Sequence, residues 1–467
     1  MNQIARRDFM AGATAAGALA AAAPLWAAPA AGAAPFLTSD IGTLKRVLVH
    51  SLSLDDVNHD RLSSDLLPGV DNDLPAGVQQ HKALLELLRK SGADIVVVKE
   101  ALEAAISATR PSGLFETWLR ASFPRLAADP AAVTADMLLG RTPGVRYRLG
   151  ADGNFRQQAD SSHSTIWTRD SAVMTPRGLL ICRAVSLRRR RENMLLRFLY
   201  RHSPLLARYP IAFDAVEEGI NVEGGDMMIV DRDTMFLGVG NRTDPRVAPI
   251  LARKLDMDVV TVQTMERDFL PTDRGAGGWG AIRALRVLLL HLDTYFTHVA
   301  PRHGLAVPYL LEKAHSTDNP IARFLRGARA DTLLEEKDAE AALEMLKGFG
   351  KVSRYARGSG KADSLGDLKL VDYLRQLRYR LTFVGGPRPS GDQAEFSHFM
   401  EISYPELRRQ AANVVQATPG RVIAYAGNPA TKAALEADGI AVDTFGAREL
   451  WAWGGGPHCL TQPLERA

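Results

Sequence analysis

The chain has 467 residues, of which 46% are hydrophobic and 24% charged, a balance that builds a large core and excludes disordered, collagen-like and low-complexity chains. Lysine and arginine number 57 against 53 aspartates and glutamates, a formal charge of +4, which argues against the strong whole-molecule field of a nucleic-acid binder. The two cysteines, Cys182 and Cys459, exclude a disulfide framework and a cysteine-only zinc site, and allow at most one bridge.

The chain opens with Arg6-Arg7-Asp8-Phe9-Met10 and then an uncharged, alanine- and glycine-rich stretch from Ala11 to about Ala34. Paired arginines before a weakly apolar segment that ends in small residues read as a twin-arginine export signal. Residues 1–34 are therefore set apart from the fold, and the mature chain, 35–467, is expected in the periplasm or the medium. An alanine-rich tail is the competing reading. No other stretch reaches the roughly 20 apolar residues of a membrane helix, so no membrane partner is expected beyond export.

A recurring unit organises the mature chain. Val47-Leu48-Val49 is a β-branched run; Val78, Leu84, Leu85 and Leu88 then share one helical face, Gly92 stops the helix, and Ile95 to Val98 reads as a buried strand. The order strand, helix, glycine, strand returns at Met235–Val239, Val247–Leu255 and Val259–Val262, and again at Val422–Tyr425, the helix to Asp438, and Ile440–Val442. Such an echo marks an internal repeat. Ala172–Met174 with Leu179–Ala184, and Met227–Val230 with Met235–Val239, read as hairpins, each beginning directly after an acidic motif.

Two stretches break the rhythm. About 101–160 has helical spacing, with Leu114, Trp118 and Ala121 on one face and Asp129-Pro130 starting a helix that runs to Leu139 and closes at Gly140. About 301–380 is rich in charge, carries helical spacing at Ala341, Leu343 and Met345-Leu346, and reads as a second, variable insertion or a lid.

Four motifs carry chemistry: Trp167-Thr168-Arg169-Asp170, Glu223-Gly224-Gly225-Asp226, His291-Leu292-Asp293-Thr294, and Gly454-Gly455-Gly456-Pro457-His458-Cys459. Singly, each has an ordinary structural explanation: a surface ion pair, a turn, a core histidine, a flexible glycine turn. Together they supply a thiol nucleophile, an imidazole that moves protons, and several carboxylates suited to a cationic substrate.

On these motifs, with Gly238-Val239-Gly240-Asn241-Arg242-Thr243, Asn413 and Pro419-Gly420, the chain resembles the arginine deiminase family of guanidino-group-modifying enzymes, from Ile41 to Pro463. The resemblance implies an α/β pentein fold, an α/β-propeller of five ββαβ modules with pseudo-fivefold symmetry, and a helical insertion after the first module. It implies an arginine-like small-molecule substrate, no nucleic-acid partner, no cofactor and no metal, and it leaves a homo-oligomer open.

A guanidinium is planar, cationic and a poor electrophile, so carboxylates that match its paired N–H groups must grip it. By the resemblance Asp170 and Asp293 make that grip, and Cys459 attacks the central carbon as thiolate, favoured by the substrate's own charge. His291, held by Glu223, protonates the leaving ammonia and then activates water. Arg242 and Arg189 are expected on the substrate carboxylate, with Ser164 and Asn413 completing the binding set. The chain departs from the family at Trp451-Ala452-Trp453, where an arginine is usual, at Ser164, where asparagine is common, and at Ser171, where proline follows the Thr-Arg-Asp.

The expected reaction is hydrolysis of L-arginine to L-citrulline and ammonia through a thiouronium on Cys459. Open beside it are another guanidino substrate, amidino transfer, and a periplasmic binding protein that grips a guanidinium without turning it over. A metallohydrolase using His291 and Asp293 ranks low, because the eleven histidines show no His-x-x-x-His or His-Glu pair. Cys182 lies in a strand pattern and is expected to be a core thiol, although in an oxidising compartment it could pair with Cys459.

Overall fold

The computed structural model describes residues 36–56, 73–141, 147–149, 155–157, 165–186, 189–265, 291–312, 319–331 and 336–467. The export-signal expectation for 1–34 and the binding role expected of Ser164 both lie outside the described residues.

Five of the sheets share one plan, an antiparallel pair followed by a crossover to a parallel strand beside the pair's second arm, and in four of them the pair is a hairpin. Ala172–Thr175 and Gly178–Ile181 are antiparallel; the helix Arg190–His202 crosses over and Ile211–Asp214 returns parallel. Met227–Ile229 with Thr234–Val239, the helix Val247–Lys254 and Asp258–Gln263 repeat it. So do Phe296–Ala300 with His303–Ala306 and Arg380–Phe383, and Val415–Thr418 with Arg421–Tyr425, Pro429–Ala437 and Ala441–Phe445. The remaining unit joins the two ends of the chain. Gln462–Arg466 lies antiparallel to Leu44–Val49, and the helix Leu74–Lys90 leads to Asp94–Val97, parallel to the same strand.

Local chemistry explains these elements. Asp73 caps Leu74–Lys90 by accepting from the Ala76 amide at 2.9 Å, Pro75 fills the first turn, and Val78, Leu84, Leu85 and Leu88 are buried as their spacing predicts. Gly92, at φ +88°, ends the run in a conformation that suits glycine. Each apolar cluster welds neighbouring units, because a sheet buries its face against the next one. Leu44, Val47 and Val49 pack with Val415, Ile423 and Tyr425, whereas Val173 and Leu180 pack with Met227, Leu237 and Val259.

The structure revises several expectations. The two expected hairpins are the opening arms of complete units. The stretch read as 301–380 is no separate lid: His303–Ala306 and Arg380–Phe383 are strands of one unit, and their crossover holds the helices Pro320–Ala330 and Glu336–Gly348. Within that crossover Val352–Tyr355 extends the sheet of the preceding unit. In the first insertion the helix Leu114–Ser122 buries Phe115 and Leu119; Leu114 stays 39% exposed, while Trp118 stacks on Phe198 at 4.1 Å between ring centroids. A 3-10 turn, Pro130–Ala132, and the short helix Ala135–Leu138 capped by Thr134 replace the single helix expected from Asp129. The insertion ends in paired strands, Tyr147–Leu149 and Phe155–Gln157, where helix was expected.

Candidate active site

Each unit sends the segment before its first strand to one place. Asp170 lies in the turn Thr168–Ser171, Glu223 stands just before the turn Gly224–Asp226, and His291 precedes the turn Leu292–Thr294, which carries Asp293. Asn413 lies just before Val415–Thr418, and Cys459 just before Gln462–Arg466. Strand ends are good places for such groups, since the ladder fixes the backbone while the loop leaves the side chain free to face a ligand.

The thiol side is built around Asn413. Its Oδ1 accepts from the His458 and Cys459 amides at 3.0 and 3.2 Å, and its Nδ2 donates to the Cys459 Sγ and to the Asp293 carbonyl, both at 3.1 Å. The sequence reading placed Asn413 on substrate; the structure puts it on the Cys459 thiol. Cys459 donates its thiol proton to Asp293 Oδ2 at 3.3 Å, and His458 Nδ1 lies 2.8 Å from the same oxygen. Burial pushes the Cys459 thiol well up, and the charges of Asp293 and Asp170 push it further. Gly455 and Gly456 are small because Trp167 and Asn413 pack there: a Cβ would fall 2.3 Å from the Trp167 ring and 2.4 Å from Asn413 Oδ1.

The imidazole side is more heavily charged. His291 Nε2 lies 2.8 Å from Glu223 Oε2, and Nδ1 lies 3.6 Å from Asp170 Oδ1. Burial opposes an imidazolium, but the charge of Asp170, the Glu223 hydrogen bond and the charge of Asp226 lift His291 to about 9. Burial would raise Glu223, yet the His291 hydrogen bond and the Arg242 guanidinium hold it at about 2. His291 thus rests as a cation at neutral pH.

Arg189 differs from expectation. Its NH1 donates to Asp170 Oδ2 at 2.9 Å, its NH2 donates to Glu192 Oε2 at 3.0 Å, and NH1 lies 3.9 Å from Glu223. The side chain expected on a substrate carboxylate is thus turned onto the carboxylates of the site. Arg242 is nearer its expected task, with Nε buried and unpartnered and NH1 3.8 Å from Glu223 Oε1. One oxygen each of Asp170 and Asp293 is likewise buried without a hydrogen bond, that of Asp170 facing His291 Nδ1 at 3.6 Å, so each retains an acceptor for a ligand N–H. Trp453, in the stretch that departs from the family, is 4% exposed and packs its ring over Gly77.

Asp170, Glu223 and His291 also offer ligand atoms within 4.8 Å of one another. Arg189 NH1 already lies on Asp170, and His291 Nε2 is on Glu223, so a metal ion would have to displace both contacts. The motifs named His458 and Asp226 without giving either a task; His458 bonds Asp293, and Asp226 is wholly buried. Adjacency to Cys459 was the available signal for the first, and Asp226's place two residues after Gly224 the signal for the second.

A family model described as arginine deiminase matches residues 151–347 and 402–466. The arginine deiminase of Metamycoplasma hominis is 26% identical over 451 residues, spanning 92% of this chain and 95% of that one. That of Rhodococcus erythropolis is 25% identical over 468 residues, spanning 94% and 99%. Among solved structures, an adduct of a dimethylarginine dimethylaminohydrolase with S-methyl-L-thiocitrulline covers 90% of this chain and 99% of its own at 16% identity and TM-score 0.46. The product-bound N-terminal domain of a cyanobacterial arginine dihydrolase covers 90% and 97% at 13% identity and TM-score 0.47.

Proposed function

The chain belongs to the arginine deiminase family, and from that premise we propose that it hydrolyses a guanidino group, with L-arginine the first candidate, to a ureido product and ammonia. The observation that carries the reading is the pairing, in one buried site, of the Cys459 thiol on Asp293 with the His291–Glu223 dyad beside Asp170.

Asp170 and Asp293 receive the guanidinium N–H groups on their unpartnered oxygens. The arriving cation offsets the carboxylate field that holds Cys459 as a thiol, so the thiol releases its proton to solvent and the thiolate forms as substrate binds. Its sulfur attacks the guanidinium carbon. His291, already protonated, gives its proton to one nitrogen, the C–N bond breaks, and ammonia leaves behind a thiouronium. His291, now neutral, takes a proton from water as the water oxygen bonds to the same carbon. The C–S bond then breaks and its electron pair returns to sulfur, while the hydroxyl proton of the intermediate passes to that sulfur, restoring the Cys459 thiol and releasing the neutral ureido product.

Arg242 takes the substrate carboxylate in this reading, and Arg189 joins it once the incoming guanidinium has replaced it on Asp170. The same reading closes the five units into a propeller-like ring around the site. Contacts between successive units support it, including those from Gln462–Arg466 to Ala172–Thr175, from Phe296–Ala300 to Arg421–Tyr425, and from Leu44–Val49 to Val415–Thr418. Export through the twin-arginine segment would set the reaction outside the cytoplasm; cell fractionation with a tagged full chain tests that, and a wholly cytoplasmic protein overturns it.

The direct test incubates the purified protein with arginine, methylated arginines, agmatine and peptidyl-arginine, and measures ureido product and ammonia. Equal amounts of the two from at least one substrate are expected, with free arginine foremost. Binding without turnover across the panel would leave a guanidinium receptor in place of an enzyme.

A further inference from the structure

Three units carry an aspartate in the turn that precedes their hairpin: Asp170 in Thr168–Ser171, Asp226 in Gly224–Asp226 and Asp293 in Leu292–Thr294. Asp170 and Asp293 each keep one buried oxygen without a hydrogen bond. Asp226 keeps none. Its Oδ2 accepts from the Thr243 hydroxyl at 2.6 Å, and its Oδ1 accepts from the Leu292 amide at 3.0 Å.

Those two partners lead directly to the dyad. Leu292 follows His291 in the chain, and the Thr243 oxygen in turn accepts from the Glu223 amide at 3.2 Å. The Asp226 amide donates back to the Glu223 carbonyl at 3.1 Å. One carboxyl thus ties the backbones of both His291 and Glu223 to the segment that carries Arg242. The surroundings are closed around it: Asp226 is fully buried, and a Cβ on Gly238 would come within 2.3 Å of its Oδ1, so glycine there lets the neighbouring strand seal the carboxyl from water.

We propose that Asp226 is the positioning residue of the dyad, fixing His291 against Glu223 through Leu292 and Thr243 and supporting the imidazolium with its charge. The inference rests on the proposed guanidine hydrolysis for its kinetic consequence only. Burial pushes Asp226 up to about 7, while His291 draws it down, and its charge is in turn among those that raise His291. The groups that face it from the packed elements are His291, Glu223, Tyr295 and Cys182; its charge raises the last two.

The test is Asp226→Asn, which keeps the shape and the acceptor for Leu292 while removing the charge, with Thr243→Val as a second variant that cuts the link to Glu223. For Asp226→Asn the expected result is a kcat lower by roughly 10- to 100-fold, the usual range for a group that orients an active residue, with KM within about threefold. The basic limb of the kcat profile and the His291 titration followed by NMR should both move to lower pH. Thr243→Val should lower kcat in the same direction. A folded Asp226→Asn protein with wild-type kcat and an unmoved His291 titration overturns the proposal. If Asp226→Asn does not fold, a folded Thr243→Val protein with unchanged kcat overturns it instead. The NMR titration needs no turnover, so a wild-type protein inactive on every guanidine defeats the proposed function while leaving this inference to be decided by the His291 shift.

Discussion

The two sides of the site hold their protons differently. On one side the Cys459 thiol sits between a neutral amide and a carboxylate, and burial and negative charge together keep it protonated. On the other, four ionisable groups, Asp170, Glu223, His291 and Arg189, interlock as charged partners, and His291 stays cationic up to about 9. In the proposed mechanism the acid is therefore ready before substrate arrives, and the nucleophile is not. A resting thiol is a poor nucleophile and a poor target for oxidants, and in that proposed mechanism the cation that relieves the field around it is the substrate itself. As proposed, the site thus couples nucleophile activation to occupancy, with Arg189 as the group that moves.

The largest effect should come from breaking the thiol side. Cys459→Ser removes the sulfur that lies on Asp293, and product formation should fall by roughly 10^4-fold or more, as when a covalent nucleophile is lost elsewhere. Asp293→Asn comes next. It loses a charge-assisted grip on the guanidinium and leaves Cys459 and His458 without their shared carboxylate, so kcat/KM for arginine should drop by about 10^2- to 10^3-fold. Steady-state citrulline assays measure both, and a Cys459→Ser protein that still turned over would remove the covalent mechanism.

The imidazole side is tested by Glu223→Gln. Glu223 supports the His291 cation, so the basic limb of the kcat profile should shift to lower pH; an unmoved limb would separate Glu223 from the proton balance. Stability should respond as well. Glu223 lies at about 2 in the folded protein against its ordinary 4.5, a depressed carboxylate whose stabilisation is present above about 4.5 and is lost as pH falls through about 2. Glu223→Gln should therefore cost about 3 kcal/mol near neutral pH, an order-of-magnitude figure, and the difference from wild type should shrink as the pH is lowered. Urea melts at pH 7 and pH 4 measure this.

Arg189 gives a smaller and more selective effect. Arg189→Gln empties the Asp170 contact and removes a cation proposed for the substrate carboxylate. KM for arginine should rise about tenfold, the cost of one charged contact, while KM for agmatine, which lacks the carboxylate, should hold or fall. Equal losses for the two substrates would show that Arg189 acts only as a structural partner of Glu192 and Asp170.

What the sequence disclosed divides along the same physical line. Hairpins such as Met227–Ile229 with Thr234–Val239 were readable because the apolar runs and the turn between them are local. The pairing of Gln462–Arg466 with Leu44–Val49 was not, since its strands lie at opposite ends of the chain and Gln-Pro-Leu-Glu-Arg has little strand character. Ile211–Asp214 escaped notice for its shortness. In the site, residue types announced the chemistry: a late cysteine on glycines, a histidine two residues before an aspartate. Partners did not, because they are set by packing across units. Nothing local to Arg189 reveals that it lies on Asp170, and nothing local to Asn413 reveals that it holds the thiol.

The smallest expected effect returns to the comparison through the other cysteine. Cys182 is free and wholly buried, like a core residue; its amide donates to the Ser171 carbonyl at 3.0 Å, just behind Asp170. Burial raises its thiol, and Asp170 and Glu223 raise it further, so it shares the chemical character of resting Cys459 while facing Val173, Leu180 and Phe213 in the core. Cys182→Ala should cost about 1 kcal/mol through the lost sulfur packing and leave kcat unchanged, read by thermal melts beside the citrulline assay. If activity fell along with stability, or if oxidant sensitivity disappeared with Cys182, the thiol behind Asp170 would belong to the chemistry of the site, and the contrast between a reactive and an inert cysteine would fail.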